Sequence, residues 1–314
     1  MAPSDKALAT EGGAIAVAAR IPSIETVTQP NAVTMLARRI LGHRSFVVAA
    51  FIMTSLILIA VFAPLLAPHD PLDQDLTRRL IPPVWAEKGQ WTYPLGTDMM
   101  GRDYLSRLIY GARVSLLIGF CAMMISGVLG TAMGVCAGYF GGRVDMVITF
   151  LLTTRLTLPV VMVSLALVAV VGGSLQTVII ILGCLLWDRF TVVMRSATMQ
   201  IRNLDYVRAA NAIGCSTRRI IFSEILPNIV GSLLVIATFE IAHSVLLEAA
   251  LSFLGLGVQP PTPSWGLMVS EGKDYMLFEP YLVMLPGLAI FTLVLAINLL
   301  GDGARDIFAP ENRN

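Results

Sequence analysis

Charge is what this chain has least of. Only 14% of its 314 residues are Asp, Glu, Lys or Arg, against about 25% in soluble domains. The shortage is gathered into runs: Ser45 to Pro68 holds no ionisable side chain, and Val114–Gly142, Leu156–Trp187 and Pro280–Gly301 carry no charge. Ile229–Gln259 contains only Glu240, His243 and Glu248. A soluble helical fold needs a charged face along every helix, so these runs exclude one. About 20 apolar residues cross a bilayer core of about 30 Å, and the pattern is that of an all-α, polytopic membrane protein.

Other absences narrow the chemistry. Lysine occurs only as Lys6, Lys88 and Lys273, none followed by Ser or Thr, so there is no GxxxxGK[ST] phosphate loop. If ATP drives this protein, another chain binds it. HExxH and GxSxG are missing, which leaves no nucleophile–base constellation for a membrane enzyme. Cys121, Cys136, Cys184 and Cys215 lack CxxC spacing, and His43, His69 and His243 are scattered, so neither a disulfide framework, a zinc site nor another metal centre is expected. A net charge of +1 gives no argument for nucleic acid.

Six spans are expected, at about Ser45–Leu66, Val114–Ala137, Val144–Val171, Leu175–Thr198, Ile229–Leu254 and Tyr281–Leu300. The stretch from Val144 to Trp187 is too long for one helix and is divided at the turn signal Gly172–Gly173–Ser174. Arg155 then falls inside the third span, where it either snorkels or pairs within the bundle. Arg38, Arg39 and Arg44 before the first span place the N-terminus in the cytoplasm. Six spans put Arg143, the Arg202–Arg219 segment and Arg305 on that same side.

The expected organisation has a cytoplasmic tail at 1–44, disordered to about Gln29 and then an interfacial helix in "NAVTMLARRILGHRSF". No secretory signal is read in it. The first span at 45–66 leads to an external loop at 67–113. A core of five spans follows at 114–302, with a polar loop at 199–228, and then a cytoplasmic tail at 303–314. The external loop mixes arginines with carboxylates and contains Trp85, Trp91 and Tyr93, which suits an interfacial, irregular segment.

The most unusual stretch is "YVRAANAIGCSTRRIIFSEILPN", Tyr206 to Asn228. Leu204 to Ile213 reads as a short helix, Gly214 suits the left-handed residue that ends it, and Ser216 or Thr217 caps a second helix. Ala209, Ala210 and Ala212 admit a close neighbour, and Pro227 fits the junction with the next span. An ordinary cytoplasmic loop is the other reading that residue chemistry leaves open. In "GTDMMGRD", Gly96 and Gly101 permit a tight turn and Asp98, Arg102 and Asp103 can bond locally, giving either an external gate or a cap that closes the loop. "QPPTPSWG" is stiffened by three prolines, with Trp265 suited to the membrane interface. It either presents a surface to a delivery protein or returns the chain to the bilayer. Glu240, Ser244 and Glu248 recur every four residues and share a helix face with His243 and Leu247. They either line a translocation path or hold helices, or two subunits, together.

The Tyr206–Asn228 stretch resembles the cytoplasmic loop signature of ABC-importer permeases: EAA, three residues, G, nine residues, I, one residue, LP. Ala209, Ala210, Gly214, Leu226 and Pro227 fall in register, while Arg208 replaces the Glu and Glu224 the Ile. Three further stretches are similar to the C-type subunits of dipeptide and oligopeptide permeases: "PLGTDMMGRDYLSRLIYGARVSL" (Pro94–Leu116), "EAALSFLGLGVQPPTPSWG" (Glu248–Gly266) and "NLLGDGARDIFAP" (Asn298–Pro310). The resemblance runs from about Arg38 to Pro310.

It implies a type I importer permease in a bacterial inner membrane, paired with a B-type permease, two ATPase subunits and an external substrate-binding protein. ATP and magnesium would then sit on the ATPases, with no cofactor on this chain. The loop around Tyr206, Arg208, Ala209, Ala210, Gly214, Leu226 and Pro227 would be the coupling helix that docks on an ATPase. Dipeptides or longer peptides are the implied cargo, with nickel complexes or other small solutes as the alternative. A rival from a different class is an ion-coupled secondary transporter with Glu240, His243 and Glu248 as a proton relay.

Overall fold

A computed structural model of the chain describes residues 44–308, so the expected N-terminal tail before Arg44 and the last residues of the C-terminal tail lie outside the described residues. The chain order is α1 (Arg44–Val61), α2 (Ala63–Leu66), α3 (Tyr104–Phe140), α4 (Gly142–Leu156), α5 (Val160–Val171), α6 (Leu175–Leu185) and α7 (Trp187–Arg202). Then follow α8 (Asp205–Ala212), α9 (Thr217–Arg219), α10 (Leu226–Phe253), α11 (Trp265–Gly272) and α12 (Tyr281–Phe308). Among the described residues there is no strand, only one isolated bridge between Thr97 and Asp103.

Five of these segments are long and apolar enough to cross a bilayer: Arg44–Val61, Tyr104–Phe140, Leu175–Arg202, Thr217–Phe253 and Tyr281–Asp306. A sixth exists if α4 and α5 count as one span, but they meet at 83°. The expectation of a continuous third span, Val144–Val171, is corrected here. Pro159 has no amide hydrogen and pushes Leu158 out of helical geometry, so the helix stops at Leu156 and restarts at Val160. Other boundaries move for similar reasons. Pro64 detaches α2 from α1. The second span begins at Tyr104 rather than Val114 because Asp103 caps it there, accepting from the Ser106 amide at 3.0 Å. The last helix runs through Phe308, so the tail expected at 303–314 begins as helix.

The seam between α3 and α7 organises the bundle. Gly130, Gly134 and Gly138 recur every four residues on α3 and face the α7 backbone. A methyl group on Gly130 would lie 2.4 Å from the Trp187 carbonyl oxygen, and one on Gly134 2.7 Å from that of Thr191. One on Gly138 would lie 2.8 Å from that of Arg195. Inside a bilayer, helices gain little from excluding water, so close backbone approach through small residues supplies the attraction. Thr191 adds a hydrogen bond from its hydroxyl to the Gly130 carbonyl at 3.2 Å. At the Gly138 end of the seam, Arg202 donates to the Tyr139 carbonyl at 2.8 Å and Arg195 forks onto Asp145 at 2.5 and 2.7 Å.

Two breaks in the helices free a carbonyl, and each is taken up by a side chain. Pro286 inside α12 cannot donate to Leu282, and the buried Tyr104 hydroxyl fills that place at 2.5 Å. At the junction of α6 and α7, Arg155 donates through Nε and Nη2 to the Leu185 carbonyl at 2.8 and 2.6 Å and lies 3.5 Å from Asp188. Arg155 therefore pairs within the bundle.

The seam yields a prediction. Gly134→Val forces backbone and Met194 apart and should cost about 1–3 kcal/mol, lowering the thermal midpoint of the detergent-purified protein by several degrees. Gly287→Ala, where a methyl meets nothing within 4 Å, should leave that midpoint unchanged or slightly raised. Equal midpoints for the two variants would refute a tight seam.

Candidate functional site

Three places collect the residues singled out by sequence. The first is the segment between α7 and α10. α8 spans Asp205–Ala212 and ends in a Schellman turn: the Cys215 amide donates to Ala210 at 3.0 Å and the Gly214 amide to Asn211 at 3.1 Å. Gly214 has φ +82° and nothing within 4 Å of a would-be methyl, so its requirement is conformational and not spatial. Ser216 caps the next turn through the Arg219 amide. Ile220–Ile225 then winds as a π-helix ahead of Pro227, whose ring and missing donor disturb the preceding turn. Glu224 sits in that looser turn.

This segment rests on an apolar cluster of its own. Val207, Ile220, Ile225 and Ile229 are buried against Val135 of α3 and Met194 of α7, and Ala210 and Leu226 pack half-buried against them. Its other side is open. Tyr206, Arg208, Ala209 and Pro227 are exposed, and Ile213 and Phe222 stand 80% and 68% exposed. The segment is thus fixed by one apolar face while it shows aromatic and aliphatic side chains on the other.

The second place is at the opposite end of the bundle, where residues 67–103 fold into a lid. Its centre is a buried ion cluster. Asp98 accepts from Arg102 Nε at 2.6 Å and from Arg107 Nη1, while Glu271 of α11 lies 3.2 Å from Arg102 Nη2 and 2.7 Å from Arg107 Nη2. Arg102 and Arg107 are fully buried. Gly96 (φ +80°) and Gly101 (φ +74°) let the loop double back. A methyl on Gly96 would strike the Ile81 carbonyl at 2.3 Å, and one on Gly101 that of Asp75 at 1.9 Å. Tyr93 is buried, stacked on His69 at 4.9 Å and accepting from Arg78 at 2.6 Å, while Trp85 and Trp91 are exposed. At the rim, the Thr77 hydroxyl and amide donate to Asp75 and hold its carboxyl below the usual carboxylate range.

Trp265 was expected at the membrane interface, and that expectation is corrected. Its side chain is buried over Gly111, with the indole donating to the Leu108 carbonyl at 2.9 Å. The prolines ahead of it turn the chain inward, so the indole finds its acceptor in α3 and not at the headgroups.

The third place is the carboxylate face of α10. Glu240, Ser244 and Glu248 are all buried. Glu248 Oε1 accepts from Ser252 at 2.7 Å and from Ser264, the cap of α11, at 2.9 Å, so this carboxylate fixes α11 to α10. Glu240 lies 3.4 Å from Arg189 Nε of α7 and 3.4 Å from His243 Nδ1. Among the described residues no group of three or more His, Cys, Asp or Glu side chains comes together as a metal would need.

Residues 130–314 match the family model of the binding-protein-dependent transport system inner membrane component, and residues 34–83 match the N-terminal transmembrane domain of oligopeptide transport permease C. The chain belongs to the inner membrane components of binding-protein-dependent transport systems. This permease is 43% identical over 262 residues to the di/tripeptide transport system permease protein DppC of Pseudomonas aeruginosa (strain UCBPP-PA14), covering 83% of this chain and 86% of the relative. It is 38% identical over 269 residues to the dipeptide transport system permease protein DppC of Haemophilus influenzae, covering 86% and 91%. With the glutathione transport system permease protein GsiD of Pectobacterium atrosepticum it shares 35% over 274 residues, covering 87% and 89%. Among solved structures, the MetNI methionine ABC transporter in an inward-facing conformation superposes with a TM-score of 0.54 over 64% of this chain and 96% of that one, at 17% identity. That likeness is one of fold, the type I ABC importer permease.

Sequence reasoning named Asp98, Arg102 and Asp103 of the lid but missed Arg107 and Glu271, which complete its charge balance, and Arg189, which faces Glu240. Arg107 and Glu271 lie in helical stretches that read as ordinary amphipathic surface. Only the excess of arginine over acid in "GRDYLSRL" hinted at a distant carboxylate.

The ion cluster makes the second prediction. Asp98→Ala strands two buried guanidinium groups and should cost about 3–5 kcal/mol, seen as faster amide hydrogen exchange across residues 96–104. Glu87→Ala, at an exposed position of the same loop, should change that exchange little. Unaltered exchange in Asp98→Ala would show that the cluster does not hold the lid.

Proposed function

We propose that this permease is the C-type transmembrane subunit of an ATP-driven importer of short peptides, forming the passage with a B-type permease. Two ATP-binding subunits carry ATP and magnesium, and an external binding protein delivers the cargo. The observation that carries the coupling part is the Leu204–Pro227 segment. It is anchored by Val207, Ile220 and Ile225 to the two helices it joins, and it shows Tyr206, Ile213 and Phe222 outward. The chain lacks a phosphate loop of its own, so work done by ATP has to enter through an element of this kind. In this reading the segment faces the cytoplasm, as does the N-terminus, and the lid faces outward. Closure of the ATPases moves the segment as a rigid body and tilts α7 and α10.

The names of the relatives, di/tripeptide, dipeptide and glutathione, support a peptide cargo over a nickel complex. The buried bonding of Glu248 to two serines supports a structural part for it over membership of a proton relay. A proton relay would predict uptake by the purified chain alone in liposomes under a proton gradient. The reading proposed here predicts none without the ATPases.

Two measurements test the coupling segment. A cysteine at Ala209 should cross-link to an engineered cysteine on an ATPase subunit, and labelling of Ala209→Cys only from the external side would sink the assignment. Gly214→Val holds a β-branched residue at positive φ, a strain of about 1–3 kcal/mol. It should leave ATP hydrolysis running with uptake reduced severalfold, whereas Gly214→Asn, which tolerates that conformation, should retain most uptake.

A further inference from the structure

Arg189 stands apart from the other charges of the bundle. It lies near the middle of the Leu175–Arg202 span, and Glu240 near the middle of α10, so both helices place the pair at mid-bilayer depth. Arg155, the other arginine at that level, is consumed by the Leu185 carbonyl and Asp188. Arg189 has a single ion-pair contact, Nε to Glu240 Oε1 at 3.4 Å, and its side chain is 51% exposed while that of Glu240 is 0% exposed. Its two Nη groups have no hydrogen-bond partner among the described residues. A guanidinium at this depth is too costly to leave against lipid tails, so it faces water or a polar partner.

The rest of its helix face agrees. Arg189, Val192, Ser196, Gln200 and the following Asn203 form the exposed stripe of α7, polar in all but one place. The exposed faces of α4 and α5 show Met146, Val147, Phe150, Met162, Val170 and Val171, which suit lipid or a packed apolar neighbour. Behind Arg189, the buried atoms Glu240 Oε1 and Ser244 Oγ lack hydrogen-bond partners among the described residues. His243, half-buried, lies against the other Glu240 oxygen. A polar stripe that starts at mid-depth beside interrupted helices and runs to the coupling segment has the placement of a transporter's cargo route.

We infer that Arg189 is the cargo-contacting charge of the passage, taking the C-terminal carboxylate of the passing peptide on its Nη groups while Glu240 holds Nε. The inference rests on the peptide-importer reading above. Glu240 already offsets part of the positive charge, so the site attracts a carboxylate without retaining it, as a transport route requires.

The test uses the complete transporter, this chain with its second permease, ATPases and binding protein, in proteoliposomes. The probes are labelled dialanine and its C-terminal amide, each supplied on saturated binding protein. Wild type should take up the free carboxylate faster than the amide by about tenfold, the worth of one charge-assisted hydrogen bond. Arg189→Gln should lose most of that ratio, and Arg189→Lys should keep most of it. Arg189→Gln with Glu240→Gln, which strands no buried carboxylate, should behave as Arg189→Gln does. A wild-type ratio in the double variant overturns the inference and leaves the peptide reading standing. Loss of the second permease on co-purification of the double variant, but not of Arg189→Lys, also overturns it, because the carboxylate then belongs to that partner. A wild-type transporter that moves neither probe removes the peptide reading, and this inference with it.

Discussion

The approach of α3 to α7 is the constraint from which the rest of the bundle follows. Three glycines, at 130, 134 and 138, bring the two backbones so close that no side chain fits between them. That seam fixes the rotation of α7 and therefore which residues it hides and which it shows. Phe190, Thr191, Met194 and Thr198 turn inward and are fully buried. Arg189, Ser196 and Gln200 are left on the outside of the subunit. Without side-chain bulk in the seam, α7 has one favoured register, and the segment that follows it inherits a fixed starting point.

Broken helices are repaired by side chains from elsewhere in the chain. Pro159, Pro286 and the junction at Leu186 each interrupt the ladder of backbone hydrogen bonds at bilayer depth. Where a carbonyl is freed, Tyr104 or Arg155 supplies the donor. These repairs are long-range, so the interruptions also tie α3 to α12 and α4 to α6. The lid follows the same economy at its own end, with two buried arginines matched by two acids from separate parts of the chain.

Much of this was legible in the sequence, and the rest was hidden for identifiable reasons. Charge-free runs located the spans, because the bilayer tolerates few alternatives to an apolar helix. Gly214, Ser216 and Pro227 announced the shape of the polar segment, because helix ends depend on local residue chemistry. The bend at Pro159 was missed because hydropathy is blind to a proline inside an apolar run. Trp265 was misplaced because an indole beside prolines suits an interface and a core equally well, and only the Leu108 carbonyl 157 positions away decides it. The partnership of Arg107 with Glu271 and of Arg189 with Glu240 depends on folding alone. Beyond the arginine excess in "GRDYLSRL", such pairs have no signature in a single sequence.

The Leu204–Pro227 segment joins the very helices that carry Arg189 and Glu240. Because Val207, Ile220 and Ile225 bind the segment to its own base, a push on it cannot be absorbed locally and reaches both helices. Any rotation of α7 against α10 then lengthens or shortens a pair that sits at 3.4 Å, already slack for an ionic contact. With the pair closed, Glu240 neighbours only Nε and leaves the Nη groups open; with the pair sprung, the guanidinium loses that counter-charge. On the inference drawn above, the grip on an anion would follow the position of an element half a membrane away.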